Sequence, residues 1–286
     1  MPCVAVKREG EVILMDCGEG AQTQIAKYGI GINKNTLILI THLHGDHVNG
    51  LIGLLQTMSM SQRRSSLTII APGSLLKWLK TSIEVLHIGL TFELRFLPVR
   101  QGTVHKASEY RVRAARAHHS VESFAYLIEE YERPGVFAPR KAKVLGIPEG
   151  RKWSSLQHGK SVIVKGKKFK PTDVMGDKRP GRKIGYSGDT RPTKSLAKFF
   201  RGSDLLIFDS TFSSEDLDKA KERMHSTAEE AAELAREAAV RKLVLTHFSA
   251  RYRNVSRMLK QARSVMPETV AAADGMTVEV LYAGNQ

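Results

Sequence analysis

The stretch Thr41-His42-Leu43-His44-Gly45-Asp46-His47 places four potential metal ligands within six residues. An apolar run at 37–40 precedes it and an apolar-periodic run at 48–55 follows it, which predicts a turn between a strand and a helix. The first two histidines alternate by two and can point to one side of this turn, while the last two ligands can serve a second ion at the helix start. The spacing therefore predicts a site for two metal ions.

The side chains of this cluster also indicate which metal it would hold. Imidazole and carboxylate without thiolate suit Zn²⁺ first, and Mn²⁺ or Fe²⁺ are compatible with the same set. The chain has only two cysteines, Cys3 and Cys17, too few for a disulfide framework and without the paired spacing of a zinc ribbon. We therefore expect two Zn²⁺ per subunit and a protein of the reducing cytoplasm.

Further potential ligands lie at the ends of other short apolar runs, at 111–117, 183–187 and 243–246. They are His119, Asp189 and His247. For His119 the alternative is that its neighbour His118 is the ligand or that both are structural, and for Asp189 the alternative is a turn aspartate that caps its own loop. Strands that end in ligands and alternate with helical patterns predict a mixed α/β fold with a shared site at one sheet edge.

One helix is predicted at 227–241, and it fixes the context of another histidine. Ser226 and Glu229 have the spacing of a capping box, and acidic residues precede basic ones along the helix. His225 then lies just before the helix start, where it is held in place without being part of the helix. This is a suitable position for a proton donor, although a solvent-facing histidine is the simpler interpretation.

Positive charge is concentrated in one segment of the chain. The 286 residues carry a formal charge of +15, and 133–183 holds fifteen lysines or arginines against three acids, which leaves only +3 for the rest. Five of the ten prolines also fall there, so we expect an extended or protruding insertion rather than a packed helix or central strand. A polyanion such as RNA is the expected partner, and a solvated loop without a partner is the alternative.

The N-terminus lacks the charged start and apolar run of an export signal, and no apolar stretch approaches membrane-spanning length. A hydrophobic content of 42% is enough for a sizeable core. We expect a soluble protein that does not bind a membrane.

Together these elements resemble the metallo-β-lactamase fold superfamily and, more narrowly, the ribonuclease Z family of tRNA 3′-processing endonucleases. The resemblance runs over nearly the whole chain. It rests on the cluster at 42–47, His119, and the elements Asp16-Cys17-Gly18-Glu19-Gly20, Ser187-Gly188-Asp189-Thr190, Asp209-Ser210-Thr211-Phe212, His225-Ser226-Thr227 and Leu245-Thr246-His247-Phe248-Ser249-Ala250-Arg251-Tyr252.

The resemblance implies a four-layer αβ/βα sandwich spanning 1–286, with a basic tRNA-binding arm inserted at 131–172. It assigns His42, His44 and His119 to one zinc and Asp46, His47 and His247 to the other, with Asp189 as the bridge. Asp46 would orient the attacking water or take its proton. His225 would protonate the leaving ribose oxygen, aided by Asp209 where the family more often has glutamate.

The family also implies how the substrate is held. Ser249, Arg251 and Tyr252 follow the ligand His247 directly, so they are expected to seat the RNA 3′ end through a phosphate contact and a base stack or hydrogen bond. Precursor tRNA is the expected partner, and a homodimer would present the arm of each subunit to the other subunit's site. At 147–151 the chain has Ile-Pro-Glu-Gly-Arg where the family's arm commonly has a Gly-Pro pair, so the tip is expected to fold differently.

Two alternatives accompany this expectation. A small-molecule hydrolase of the same superfamily, acting on thioesters or lactones, could have a nearly identical metal set. Family members also begin with a further strand and a substrate-binding loop, whereas this chain starts at what would be the next strand, 3–6. The second alternative is therefore an RNA-binding protein inactivated by the loss of that strand.

Overall fold

The structure is a computed structural model that describes residues 1–282, apart from the side chain of Asn35. The chain divides into two compact units. Unit 1 comprises 1–129 and 183–280, and unit 2 comprises 130–182 together with Leu281 and Tyr282. None of the helices within 1–282 is long and apolar enough to cross a membrane.

Strands and helices alternate along most of the chain. The strands are β1 Val4–Arg8, β2 Glu11–Met15, β3 Asn35–Leu39, β4 Leu67–Ala71, β5 Leu94–Pro98, β6 Gly102–Lys106, β7 Tyr110–Arg116, β8 Phe124–Glu130, β9 Val162–Val164, β10 Lys167–Phe169, β11 Lys183–Tyr186, β12 Leu205–Asp209, β13 Lys242–Thr246 and β14 Thr269–Ala271. The helices are α1 Ala21–Lys27, α2 Gly45–Val48, α3 Gly50–Met60, α4 Ser74–Val85, α5 Pro139–Val144, α6 Arg151–Gln157, α7 Lys194–Phe199, α8 Leu217–Glu222, α9 Ala228–Glu237 and α10 Ser256–Val265.

Unit 1 is built on two sheets. The first has the order β1-β2-β3-β4-β5, in which β1 is antiparallel to β2 and the remaining neighbours are parallel. The second has the order β14-β13-β12-β11-β8-β7-β6, in which the strands from β11 to β14 are parallel to one another and β8 runs antiparallel to β11. Parallel neighbours need crossover connections, and the intervening helices provide them.

Alternate residues of each strand enter different apolar layers. In β2, Ile13 and Met15 join a core shared with the second sheet, while Val12 and Leu14 join a core with α1, α3 and α4. On the far side of the second sheet, Leu206 and Phe208 of β12 pack in a core with α7, α9 and α10. The layers therefore run helix, sheet, sheet, helix, which confirms the αβ/βα sandwich that the family resemblance implies.

The C-terminal ends of several strands carry the polar residues of interest. His42 follows β3, His119 follows β7, Asp189 follows β11 and His247 follows β13, while Asp209 is the last residue of β12. The predicted runs thus match observed strands to within about two residues, the usual uncertainty of strand boundaries. In open α/β sheets a site is commonly built at this edge.

The predicted helix at 227–241 is observed, but its start and end differ from the prediction. Helix α9 covers Ala228–Glu237, and its capping box is formed by Thr227 and Glu230 rather than by Ser226 and Glu229. The two pairs have identical spacing, so the sequence alone does not separate them. The Ser226 hydroxyl instead donates to the carbonyl of Thr190, and Ala239 adopts a left-handed φ of 50° just beyond the helix.

Unit 2 contains the predicted arm, and its interior corrects one expectation. It holds two short helices, α5 and α6, and the hairpin of β9 and β10. These elements enclose a small apolar core, so the expectation of an extended segment without packed helices is wrong. The buried core residues are Ala142, Ile147, Leu156, Val164, Phe169 and Val174. The many exposed lysines make the overall composition of this segment polar, so its composition does not indicate an apolar core.

The base of unit 2 is closed by backbone pairing. The Glu130 N–H donates to the Arg182 carbonyl at 2.9 Å, and Arg133 and Arg179 exchange backbone hydrogen bonds at 2.8 and 2.9 Å. The Arg182 guanidinium also donates to the Glu130 carboxylate. The two ends of this insertion therefore lie side by side.

Candidate metal centre

Two groups of ligand-type side chains lie together at the strand ends of unit 1. Within each group the ligand atoms are all within 4.8 Å of one another. The first group is His42, His44, His119 and Asp189, and the second is Asp46, His47 and His247. These are the seven residues singled out from the sequence, and their roles as ligands stay predictions.

Asp189 lies between the two groups. Its Oδ2 atom is 3.6 Å from Nε2 of His42 in the first group, and 3.3 and 3.4 Å from Nε2 of His47 and His247 in the second. The carboxylate is 4% exposed. One oxygen facing both groups is the geometry that a bridging ligand needs, and it disfavours the alternative in which Asp189 only caps its own turn.

Hydrogen bonds at Nδ1 orient four imidazoles so that their Nε2 atoms face the centre. Nδ1 of His119 is 3.0 Å from the Met224 carbonyl, which can only accept, so this nitrogen carries the hydrogen. Nδ1 of His47 likewise donates to the Asp16 carboxylate at 2.7 Å. Nε2 of each ring is then the atom that faces a potential cation, as in metal sites where a second group orients the imidazole.

Threonine hydroxyls orient the other two rings. The Thr41 hydroxyl donates to Asp16 and so accepts from Nδ1 of His42 at 2.9 Å. The Thr211 hydroxyl donates to Asp209 at 2.6 Å and accepts from Nδ1 of His247 at 2.8 Å. The sequence pattern did not predict this role for either threonine.

The fit of a cation can be tested on the nitrogens themselves. Nε2 of His47 is buried and has no hydrogen-bond partner among residues 1–282, although two carboxylates lie within 3.6 Å of it. Nε2 of His42 and Nδ1 of His44 face each other at 3.0 Å. Nitrogen and carboxylate oxygen atoms gathered in this way can surround a positive charge. Five imidazoles and two carboxylates without thiolate therefore fit a pair of divalent cations.

The pKa values of the buried His42 and His47 are shifted in opposite directions. Burial lowers the pKa of His42 to about 3, helped by the neighbouring His47, so the His42 imidazole is neutral near pH 7. Burial also lowers the pKa of His47, but Asp16 and Asp189 outweigh this effect and raise it to about 11. The site thus stabilises positive charge at His47, and cation binding there has to release a proton.

Asp16 orients His47, a role that the sequence pattern did not predict. It is fully buried after β2 and adopts a left-handed φ of 59°. Its carboxylate accepts hydrogen bonds from His47, from the Thr41 backbone and side chain, and from the Tyr186 hydroxyl at 2.8 Å. The signal available in the sequence was its place after an apolar strand, which it shares with the ligands.

His225 lies beside the metal groups. Its Nδ1 is 2.9 Å from Oδ2 of Asp209, so the contact expected from the sequence is present even with the shorter aspartate side chain. The ring stacks on His247 with centroids 5.2 Å apart. His225 can also be grouped with Asp189 and His247 as a potential ligand. However, its Nδ1 is 4.0 Å from Asp189 and already donates to Asp209, which leaves Nε2 for proton transfer.

The structure shows which of the two neighbouring histidines after β7 enters the cluster. His119 points into the cluster with its side chain 1% exposed, whereas His118 is exposed and forms backbone hydrogen bonds with Thr190 and Arg191.

We expect His119→Ala to lose about one cation per chain, because a site with one ligand fewer binds a cation weakly. Metal content per chain, measured by mass spectrometry after dialysis, tests this. The matched control His118→Ala should keep both cations, and the reverse pattern would contradict the assignment.

The three residues expected to seat the RNA end are near the centre but outside its ligand groups. The Arg251 guanidinium is 42% exposed, lies 5.0 Å from the Phe212 ring centroid and contacts the Ser249 hydroxyl at 3.2 Å. The Tyr252 hydroxyl donates to Asp216 and accepts from the Ser213 N–H at 3.1 Å. The Tyr252 hydroxyl is therefore already used within the protein, and its half-buried ring face is what remains for a base.

Comparison with known proteins gives matches over nearly the whole chain. The ribonuclease Z of Nitrosopumilus maritimus is 45% identical over 280 residues, covering 98% of this chain and 94% of that protein. The ribonuclease Z of Methanosarcina acetivorans is 42% identical, covering 98% and 92%. Residues 3–131 match the family described as Anti-Pycsar protein Apyc1, and 154–248 match the beta-lactamase superfamily domain.

Solved structures are also similar to this chain over nearly its whole length. The short form of human tRNase Z, ELAC1, superposes with a TM-score of 0.71 at 28% identity and covers 98% of this chain and 92% of that one. The metallo-beta-lactamase fold protein YhfI from Bacillus subtilis has a TM-score of 0.66 at 16% identity, covering 96% and 88%. The second similarity concerns the fold alone.

Proposed function

The chain belongs to the ribonuclease Z family, and from this premise we propose that it is a metal-dependent endoribonuclease that removes the 3′ trailer from precursor tRNA. The reaction hydrolyses one phosphodiester bond and leaves a 3′-hydroxyl on the tRNA.

The observation that carries the proposal is the contact between His225 and Asp209 beside the two ligand groups. A ribose 3′-oxygen is a poor leaving group and has to be protonated as the bond to phosphorus breaks. Asp209 accepts from Nδ1 of His225 and orients the ring, so Nε2 is the atom that would deliver the proton to this oxygen. A hydrolase acting on thioesters, whose leaving group is a stable thiolate, has less need of such a pair.

The metal is proposed to be zinc, bound as two ions per subunit by His42, His44, His119, Asp46, His47, His247 and the bridging Asp189. When bound, such ions neutralise charge on the phosphate and lower the pKa of water towards about 7. The hydrogen bond from His247 lowers the pKa of Asp46 to about 2, so its carboxylate is ionised at neutral pH and can accept a hydrogen bond from the attacking water.

The RNA 3′ end is proposed to lie against the segment that follows His247. The exposed Arg251 guanidinium is available to a phosphate, with Ser249 as its neighbour. The Tyr252 ring offers a stacking surface for a base, while its hydroxyl holds the loop by binding Asp216.

Unit 2 is proposed to bind the body of the tRNA as the basic arm of this family. Lys141 and Lys143 are exposed on the short helix α5. Replacing both by glutamine should weaken tRNA binding and reduce the slope of log Kd against log salt by roughly 0.7 to 0.9 for each phosphate that the variant no longer neutralises. Fluorescence anisotropy with mature tRNA, titrated over a range of salt, measures this without turnover.

The matched control for the arm is a lysine pair in unit 1. Lys77 and Lys80 are also exposed on a helix, α4, and their replacement by glutamine removes the same charge. We expect the salt slope of this variant to equal that of the wild type. Equal losses of affinity in both variants would mean that the arm contributes only general charge.

The proposal extends to a homodimer in the cytoplasm, in which the arm of one subunit serves the site of the other. Both cysteines are free, as expected of a reducing compartment. Light scattering of the purified protein tests the dimer, and mixing an arm variant with a His225 variant tests the exchange of arms. Recovered cleavage in the mixture supports it, and additive loss contradicts it.

The decisive experiment is incubation of the purified, metal-loaded protein with a 3′-extended precursor tRNA and, in parallel, with a generic thioester. We expect cleavage next to the acceptor stem and a product with a 3′-hydroxyl, which can be detected by its extension with a nucleotidyltransferase. Thioester hydrolysis without tRNA cleavage, at full metal occupancy, would overturn the proposal.

A further inference from the structure

The side chain of Arg191 joins the loop that carries His225 to the start of helix α9. Nη1 of Arg191 donates to the His225 carbonyl at 2.6 Å and to Oε2 of Glu230 at 2.8 Å, while Nη2 donates to the other oxygen of Glu230. The two side chains are 15% and 19% exposed. Arg191 comes two residues after Asp189, so it links the proposed bridging ligand and the proposed proton donor.

Glu230 is itself fixed by the first turn of α9. Its carboxylate accepts from the Thr227 N–H at 3.0 Å, and its own N–H donates to the Thr227 hydroxyl at 3.2 Å. A carboxylate held in this capping box gives Arg191 a rigid partner. A bidentate pair between guanidinium and carboxylate sets the plane of the arginine as well as its position.

The loop around His225 needs external contacts because its backbone is strained. Met224 has a left-handed φ of 59°, which is unfavourable by about 1 kcal/mol or more for a residue with a side chain. Each of three consecutive residues is tied to a different neighbour: the Met224 carbonyl to His119, the His225 carbonyl to Arg191, and the Ser226 hydroxyl to the Thr190 carbonyl. Arg191 supplies the charged contact among these three.

We propose that Arg191, held by Glu230, is a positioning residue that fixes His225 for proton transfer. Both terminal nitrogens of Arg191 are engaged by Glu230 and His225, and its side chain is mostly covered, which disfavours a role as a phosphate ligand. Arg191 acts through His225 and does not touch the substrate. The inference rests on the proposed function, since it deepens the role assigned to His225.

The test compares two phosphodiesters that differ in leaving group. Precursor tRNA needs protonation of a ribose oxygen, whereas bis(p-nitrophenyl) phosphate releases a stable phenolate and does not. Displacing a catalytic group by about 1 Å can cost roughly 100-fold in rate. We expect Arg191→Met and Glu230→Gln to lower kcat for precursor tRNA by about 10- to 100-fold with little change in KM, while hydrolysis of the nitrophenyl diester and the content of two cations fall little.

Two further variants make the test specific. In a His225→Ala background, Arg191→Met should have no additional effect on kcat, because a residue that acts through another shows no independent contribution. Arg191→Lys should retain part of the rate, since an ammonium can still reach one acceptor. Arg223→Met, which removes a 71% exposed charge two residues before His225, is the matched control and should behave as wild type.

Different outcomes would overturn the positioning role of Arg191 and the proposed cleavage of tRNA. Equal losses of rate on both phosphodiesters, or full additivity with His225→Ala, would overturn the positioning role of Arg191. A thermal midpoint measured for each variant shows whether Arg191→Met is folded, and Glu230→Gln provides the second route if it is not. Absence of tRNA cleavage by the wild type would instead overturn the proposed function.

Discussion

Replacing His225 by alanine is expected to lower kcat for precursor tRNA by roughly 10²- to 10⁴-fold while leaving the cation content close to that of the wild type. Nδ1 of His225 is committed to Asp209 at 2.9 Å, and this ring is outside the two groups assigned to the cations. The variant therefore loses the proton donor and keeps the centre. Single-turnover cleavage with metal analysis of the same sample measures both quantities.

The leaving group provides a sharper comparison for this variant. Hydrolysis of bis(p-nitrophenyl) phosphate should decline far less than tRNA cleavage, because its phenolate leaves without a proton. Asp209→Asn should show the same preference, because the amide keeps only one accepting oxygen, whereas His225 and the Thr211 N–H use different oxygens of the carboxylate. An undiminished rate of tRNA cleavage by His225→Ala would show that the proton comes from another group.

Replacing Asp189 by asparagine should have a comparable or larger effect, through loss of the cations themselves. Its Oδ2 lies within 3.6 Å of ligand nitrogens from both groups, and an amide cannot neutralise two divalent ions. Metal ions contribute several kcal/mol to phosphoryl chemistry, and each 1.4 kcal/mol is tenfold, so we expect a loss of at least about 10³-fold on both phosphodiesters. Metal analysis should show weakened binding at both positions.

Asp204→Asn is the matched control for this substitution. Asp204 also belongs to unit 1 and accepts the Lys183 N–H at the start of β11, but it lies outside the ligand groups. The Asp204→Asn variant should have a slightly lower thermal stability and should keep both cations and its activity. If Asp189→Asn retained two tightly bound cations, the bridging role would be wrong, whatever the change in rate.

Much of the fold was accessible from the sequence because its strands are short and apolar and end in polar ligands. The cluster at 42–47 and the runs before Asp189 and His247 predicted the shared edge correctly. What periodicity could not decide was which of His118 and His119 enters the centre. Neighbouring residues at a strand end point in opposite directions, and a register known only to about two residues leaves both choices open.

The parts that were missed depend on contacts between distant segments. Asp16 orients His47 across 31 positions of sequence, and the Met224 carbonyl orients His119 across 105. The place of Asp16 after an apolar strand marks it only as a polar residue at the sheet edge, and the pattern around Met224 gives no sign of its partner. The capping box of α9 was misplaced by one residue because the competing use of the Ser226 hydroxyl by Thr190 also comes from far along the chain.

For the basic segment at 133–183, the sequence showed the concentration of charge clearly but did not predict the structure. A net charge of +12 and five prolines favoured an extended insertion. Its apolar residues are too widely spaced to form an obvious amphipathic pattern, yet they meet in one core when the two helices and the hairpin fold together. Charge alone therefore gave no sign of this packing.

The neighbouring ends of unit 2 bear on how such a chain could diversify. Glu130 and Arg182 are joined by a backbone hydrogen bond, so the fifty-one residues between them, 131–181, leave and return at nearly the same point. Insertions with adjacent ends can be lengthened, exchanged or removed with little disturbance of the host domain. Segment 131–181 is therefore a place where this fold can gain or exchange a whole structural unit, and grafting an RNA-binding module at this junction is a practical route to changing which molecules the protein binds.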